Sequence, residues 1–251
     1  GEKLVAGLGA AAALHLDDLV DPAAPARIAQ AALQAFGKID AVVNNAAVVP
    51  RTTIHTATVD SFERTMAINV RAPLLLIQAA FAQLKANEGC VLNIGSINAL
   101  SGEATFLDYS LSKGALQTLS RNLANAHGAD RVRVNHLNVG WVLSPREYAH
   151  QRSQGLPTDW PEHLPAVHAP SGRLIRPEEI ANAAVYWLGD ESRPITGSVV
   201  VCTRLSSDSI STGTSSQASA CCRSGTVPTS SGRRWTGTKP VAESCSTWAG
   251  W

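Results

Sequence analysis

The sequence predicts an α/β domain built on a doubly wound parallel sheet, and three observations carry that prediction. Short apolar runs recur at Ala41-Val42-Val43, Cys90-Val91-Leu92-Asn93-Ile94, residues 132–137 and Ser198-Val199-Val200-Val201. Longer segments of helical periodicity separate them. Helix-start signals stand at the head of those segments. Strands alternating with helices of this length imply a parallel sheet covered on both faces.

In chain order, Leu14-His15-Leu16 is a first candidate strand, ending at Asp17-Asp18. Asp21-Pro22 places an N-cap and a first-turn proline ahead of a helix that runs to about Phe36. Gly37-Lys38-Ile39-Asp40 introduces the run at 41–43. Asp60-Ser61-Phe62-Glu63 fits a capping box and opens a long helix through Ala86. Pro177-Glu178-Glu179 opens another, with acids in the first turn where the helix dipole favours them.

A chain of 251 residues suffices for one large domain or two small ones. It is 45% hydrophobic and 16% charged with a formal net charge of +1, which gives no electrostatic case for nucleic acid or an anionic membrane surface. No apolar run approaches the roughly 18 residues of a membrane span. The longest, residues 74–82, is broken by Gln78, so no membrane partner is expected. No basic stretch leads into an apolar segment at the N-terminus, so a cytoplasmic location follows by default. The five cysteines show neither metal-ligand spacing nor a disulfide framework, and no metal site is expected.

The texture divides the chain into residues 1–203 and a tail, 204–251. The tail is rich in Ser and Thr and loses all apolar periodicity. Such composition cannot offset its ordering entropy, so disorder is expected, from an out-of-frame terminus or a natural low-complexity tail.

Tyr109-Ser110-Leu111-Ser112-Lys113 sets a phenol and an ammonium four residues apart, one face and one turn of a helix. A phenol with a reference pKa near ~10 is a poor acid–base catalyst at neutral pH. A cation beside it favours the phenolate and brings that pKa toward the working range. A solvent-facing helix pair is the plain alternative. Ser96 follows the run at 90–94, and ligands of open parallel sheets bind beyond the carboxyl ends of strands. Its hydroxyl suits the substrate oxygen that Tyr109 protonates or deprotonates; a loop cap is the other reading. Asn44-Asn45-Ala46-Ala47 ends the run at 41–43 with small residues that let a flat ligand approach the backbone. Asn69 lies within Met66-Ala67-Ile68-Asn69-Val70 and needs a partner if buried: a helix carbonyl, a water or another core group.

Together these features resemble the short-chain dehydrogenase/reductase family. Asn44-Asn45-Ala46-Ala47 is similar to its Asn-Asn-Ala-Gly motif, with Ala47 in place of glycine. Asn69, Ser96, Tyr109 and Lys113 match its catalytic tetrad in order and spacing. Asn138-Val139-Gly140-Trp141-Val142-Leu143-Ser144 resembles its Pro-Gly stretch, with Val139 replacing proline and Ser144 replacing threonine. Asp17-Asp18-Leu19-Val20-Asp21 is similar to its adenine-contacting segment, Asp18 being the better match, and Ile195-Thr196-Gly197 to the entry of its last strand. The similarity covers residues 1 to about 201.

The resemblance implies a Rossmann-like fold, NAD or NADP as cofactor, and a small-molecule secondary alcohol or ketone as substrate. It implies Tyr109 as general acid or base and Ser96 as the group that orients the substrate oxygen. Lys113 would lower the Tyr109 pKa and bind the nicotinamide ribose, and Asn69 would hold a water of the proton relay. Asp18, Leu19, Asn45, Ala46, Ala47, Gly140, Val142 and Ser144, with Tyr109 and Lys113, would touch the cofactor. A homo-oligomer, dimer or tetramer, is implied for the intact protein.

The family's opening strand, glycine-rich turn and helix, and its second strand, have no counterpart here. Gly7-Leu8-Gly9 has no strand ahead of it. The expectation is therefore an N-terminally truncated version of the fold, in which the choice between NAD and NADP is unread. Two functional classes follow: a dehydrogenase or reductase, or a non-catalytic chain unable to bind the dinucleotide. The family's variable substrate loop falls at residues 145–171, with Tyr148, His150, Trp160, His163 and His168. Those groups suit a sugar or polyol, with reduction of a steroid or acyl ketone as rivals, and a surface lid is the plainer reading.

Overall fold

The computed structural model describes residues 2–165, 169 and 171–202, residues 3 and 4 by their backbone alone. The tail at 204–251, with three of the five cysteines, lies outside the described residues.

Four parallel strands form one sheet in the order β1 (Ala41–Asn44), β2 (Cys90–Ser96), β3 (Arg133–Val139) and β4 (Val199–Cys202). Helices α1 (Glu2–Leu8) and α2 (Ala24–Phe36) precede β1. Helices α3 (Val59–Met66) and α4 (Ala72–Ala86) join β1 to β2, and α5 (Asn98–Ser101) and α6 (Leu107–His127) join β2 to β3. Helices α7 (Pro145–Ser153) and α8 (Pro177–Leu188) lie between β3 and β4.

Successive side chains of a strand point to opposite faces. On β2, Asn93 reaches Ser120 of α6, while the Cys90 thiol reaches the Leu188 carbonyl of α8. Helices therefore cover both faces of β2 and β3, as the doubly wound prediction requires, while Ala41 and Val43 leave one face of β1 exposed. The larger core sits on the α6 side. Val42, Val91, Val132 and Val134 meet Ala29 of α2, Ile77, Ala80 and Leu84 of α4, and Ala124 of α6. Burying each such Val, Ile or Leu contributes about 1.5–3 kcal/mol.

The four predicted sheet strands are present, with ends shifted by one to two residues. Leu14-His15-Leu16 is not a strand. No strand pairs with the outer edge of β1 among the described residues, and Leu16 is 77% exposed. A single extended segment without a ladder partner leaves its amides unpaired, so apolar content alone does not hold it. The helix expected at Asp21-Pro22 begins at Ala24, and Pro25 occupies its first turn. The Asp21 carboxylate instead accepts the Ala23 N–H at 2.9 Å and an ion pair from Arg27.

The capping box of the long helix is Thr58 with Ser61, two residues upstream of the expected Asp60 with Glu63. From Val59 the helix continues to Ala86 through one π turn at Ala67–Arg71. Pro73 accounts for that turn: it has no N–H for the Asn69 carbonyl four residues back, and its ring crowds that oxygen. The Ala72 N–H accordingly reaches back five residues, to the Ala67 carbonyl. By length and composition this helix is apolar enough to cross a bilayer. Here Ile68, Ala72, Ile77, Ala80 and Leu84 are buried within the domain, which is the place of a core helix.

Candidate active site

The predicted tetrad converges at the carboxyl ends of the central strands. Ser96 is the last residue of β2, and Tyr109 lies in the first turn of α6. The start of α6 has no capping side chain of its own. Thr52, from the loop after β1, supplies both acceptors: its carbonyl takes the Leu107 N–H at 3.0 Å and its hydroxyl the Asp108 N–H at 3.1 Å. The buried Asp108 carboxylate then accepts the Ser61 hydroxyl at 2.7 Å. Helix α6 is thus pinned where it presents Tyr109.

The Ser96 hydroxyl stands beside the Tyr109 phenol, where it favours the ionised form, and it accepts the Asn98 N–H at 3.2 Å. The loop-cap contact therefore leaves this hydroxyl beside the phenol. Lys113 is 3% exposed, and its ammonium donates to the Ile94 carbonyl at 2.7 Å. Burial brings its pKa down to about 8. The ammonium lies 5.7 Å from the centre of the Tyr109 ring. Burial pushes the phenol pKa up, and the Ser96 hydroxyl opposes that rise.

Asn69 is 1% exposed with every amide atom engaged. Its Oδ1 accepts the Val48 N–H at 2.9 Å, and its Nδ2 donates to the Val48 carbonyl at 2.9 Å and to the Ser112 hydroxyl at 3.0 Å. Ser112 donates in turn to the Tyr109 carbonyl at 2.7 Å, so Asn69 reaches the tyrosine through one intermediary.

The expected cofactor residues surround this centre unevenly. Asn45 and Ala46 are exposed and Ala47 half-buried in the loop beyond β1. The Gly140 N–H donates to the Cys202 carbonyl at 2.8 Å, and Val142 bridges to Ile175. Ser144 caps α7 by accepting the Glu147 N–H at 3.1 Å. Asp18 is exposed and turns its carboxylate to the Val20 N–H, while Leu19 is half-buried. Neighbouring Asp17, gripped by Arg27, is held well below the usual carboxylate range. Arg71, from the π turn, donates to the Val20 carbonyl and anchors this segment.

In the substrate-loop region, Trp160 stacks between Trp141 (centroids 5.8 Å apart) and Tyr148 (6.4 Å). Trp160 is 3% exposed and forms a second small core with Ala169 and Leu174. It packs this region together and is closed to solvent. His163 bonds to Asp159 at 2.9 Å, and His168 lies outside the described residues. Among the described residues, no three His, Cys, Asp or Glu side chains are grouped to hold a metal ion. Sequence reasoning missed Thr52, Ser112 and Asn138, whose partners are distant in the chain or belong to the backbone.

The family model described as enoyl-(acyl carrier protein) reductase matches residues 1–203. The chain is 34% identical over 202 residues to inactive 2-(S)-hydroxypropyl-CoM dehydrogenase 2 of Xanthobacter autotrophicus, covering 79% of this chain and 86% of that one. It is similar to the 3-oxoacyl (acyl-carrier-protein) reductase of Agrobacterium tumefaciens C58, solved with NADP bound, at TM-score 0.69 and 28% identity over 75% of this chain and 72% of that one. L-sorbose reductase of Gluconobacter frateurii, solved with NADPH and L-sorbose, gives TM-score 0.70 and 26% identity over 75% and 74%. The chain belongs to the short-chain dehydrogenase/reductase family of oxidoreductases.

Proposed function

We propose that the chain is an NAD(P)-dependent dehydrogenase or reductase of a secondary alcohol–ketone pair, with Tyr109 as its acid–base group. The convergence of the Ser96 hydroxyl, the Tyr109 phenol and the buried Lys113 ammonium, 5.7 Å from the phenol ring, carries this reading. When bound, the nicotinamide supplies or accepts the hydride. Its ribose end would meet Lys113, Tyr109 and the exposed Asn45-Ala46-Ala47 loop, with Gly140, Val142 and Ser144 around the ring. NADP and NADPH in the two solved relatives support a nicotinamide dinucleotide.

Tyr109 passes a proton to or from the substrate oxygen, and the Ser96 hydroxyl holds that oxygen in line. Lys113, little hydrated, favours a phenolate more strongly than an exposed lysine does. Since the Asn69 side chain is fully engaged, a relay water would be held by its backbone carbonyl, opposite Pro73. L-Sorbose in one relative supports a polar substrate such as a sugar or polyol. Val185 and Tyr186 of α8 face solvent, at 68% and 44% exposure, and suit coverage by a second copy.

The test is NAD(P)H-linked turnover across a panel of secondary alcohols, polyols and ketones. Tyr109→Phe is expected to lower kcat by about 10²-fold or more. Undiminished turnover in that variant removes Tyr109 from the mechanism.

A second reading, a catalytically silent member of the fold, is favoured by one observation. Gly7 and Gly9 belong to α1 and a following 3₁₀ turn, so no strand–glycine turn–helix cradles a pyrophosphate among the described residues. Fluorescence titration with NADH and NADPH separates the readings. Micromolar binding of either supports the enzyme, and its absence supports the silent form.

A further inference from the structure

A line of hydrogen-bonded side chains runs through the interior from β1 to α6. Asn44 Nδ2 donates to Asn93 Oδ1 at 2.7 Å, and Asn93 Nδ2 to Ser120 Oγ at 2.9 Å. Ser120 Oγ lies 2.9 Å from His136 Nδ1, and His136 Nε2 lies 3.0 Å from Asn138 Oδ1. Asn138 Nδ2 donates to Gln117 Oε1 at 2.6 Å.

The directions are fixed by one bond. The backbone N–H of Ser96 donates to Asn138 Oδ1 at 3.0 Å, so that oxygen is an acceptor and His136 Nε2 carries the proton. His136 is 1% exposed, and burial brings its pKa down to about 4, so the ring is neutral. Its Nδ1 is then an acceptor toward the Ser120 hydroxyl, whose one proton is shared with the Leu116 carbonyl at 2.8 Å.

The strand beside this line has a gap at the matching place. A Cβ on Gly95 would stand 2.0 Å from His136 Nε2 and 2.3 Å from Asn138 Oδ1. Both atoms are held by buried bonds, so neither can withdraw cheaply. Asn138 also joins two parts of the site: the strand end bearing Ser96, and, through Gln117 one turn beyond Lys113, the helix bearing Tyr109.

We propose that His136 and Asn138 are positioning residues that hold the Ser96 hydroxyl against the Tyr109 phenol, with Gly95 as the gap that admits them. The effect on turnover rests on the acid–base reading of Tyr109; the effect on the phenol itself does not.

The test is an NMR titration of protein labelled at the tyrosine ring carbons, with Tyr109→Phe identifying one of the three tyrosines. His136→Leu removes the donor to Asn138. It is expected to raise the Tyr109 titration midpoint by about one pH unit, the worth of one hydrogen bond. His136→Gln, able to donate to Asn138 and accept from Ser120, is expected to restore the wild-type midpoint. Gln117→Met gives a smaller rise in the same direction and serves where His136→Leu does not fold. An unchanged midpoint in the folded variants overturns the proposal. Where the wild type turns over a substrate, His136→Leu lowers kcat at unchanged KM. Where it turns over none, the acid–base reading fails and the titration alone decides the positioning role.

Discussion

Asn69 grips Val48 from both sides of one peptide: its amide oxygen takes the Val48 N–H and its amide nitrogen gives to the Val48 carbonyl, each at 2.9 Å. The loop beyond β1 is thereby fixed to the middle of the long helix. Asn69→Ala leaves both Val48 groups unmatched in a largely buried place. The expected cost is about 1–3 kcal/mol, read as a lower urea midpoint at unchanged slope. An unaltered midpoint would show that the loop finds other partners.

Lys113 makes stability depend on alkaline pH. Its pKa is about 8 in the folded chain against 10.5 for the free group. Between those values the unfolded chain binds more protons, so this lysine makes stability rise as pH increases from about 8 to 10.5. Above pH ~10 the raised Tyr109 pKa acts oppositely, because the unfolded phenol ionises first. Lys113→Met is expected to remove the rising limb in denaturation curves collected across this range. Parallel wild-type and variant profiles would contradict the burial of the ammonium.

Arg133, 5% exposed, closes the end of α8. Its guanidinium donates to the Trp187 and Gly189 carbonyls, each at 3.2 Å, and to the Ser192 hydroxyl at 2.5 Å. A cation at a helix C-terminus also meets the negative end of the dipole. Arg133→Met is expected to cost about 2–3 kcal/mol in thermal or urea unfolding. Arg133→Lys is expected to recover little, since one ammonium cannot span these acceptors.

Thr52 anchors the helix that carries the phenol. Thr52→Val keeps the shape and removes the acceptor of the Asp108 N–H. A loss of about 1 kcal/mol in stability is expected, together with reduced turnover. Full activity in this variant would show that α6 holds its place without the loop.

The strands were legible because each depends on a local pattern, a continuous apolar run; that Asn69, Ser96, Tyr109 and Lys113 belong together was expected from the family resemblance, since the spacing of Tyr109 and Lys113 alone is weak. Leu14-His15-Leu16 misled because a strand is defined by its neighbour, and none flanks it among the described residues. The π turn was in principle readable, since Pro73 stands four residues beyond Asn69. The burial of Tyr109 was not. It depends on how deeply α6 is packed, which spacing does not report. The Asn93, Ser120 and His136 contacts join residues 16 to 49 positions apart along a line that includes Asn44. Each reads in isolation as an ordinary polar residue.

Buried parallel strands of Val, Leu and Ile are nearly interchangeable one residue up or down, since both faces are apolar. The line from Asn44 to Gln117 removes that ambiguity. Asn93 and Asn138 are each bonded through both amide atoms, so neither can turn without losing its partners. A sheet slipped by one position would bury several amides with nothing to bond, each costing about 1–3 kcal/mol. The same residues that steady Ser96 therefore act as a registry key, admitting a single alignment of the three strands while the chain folds.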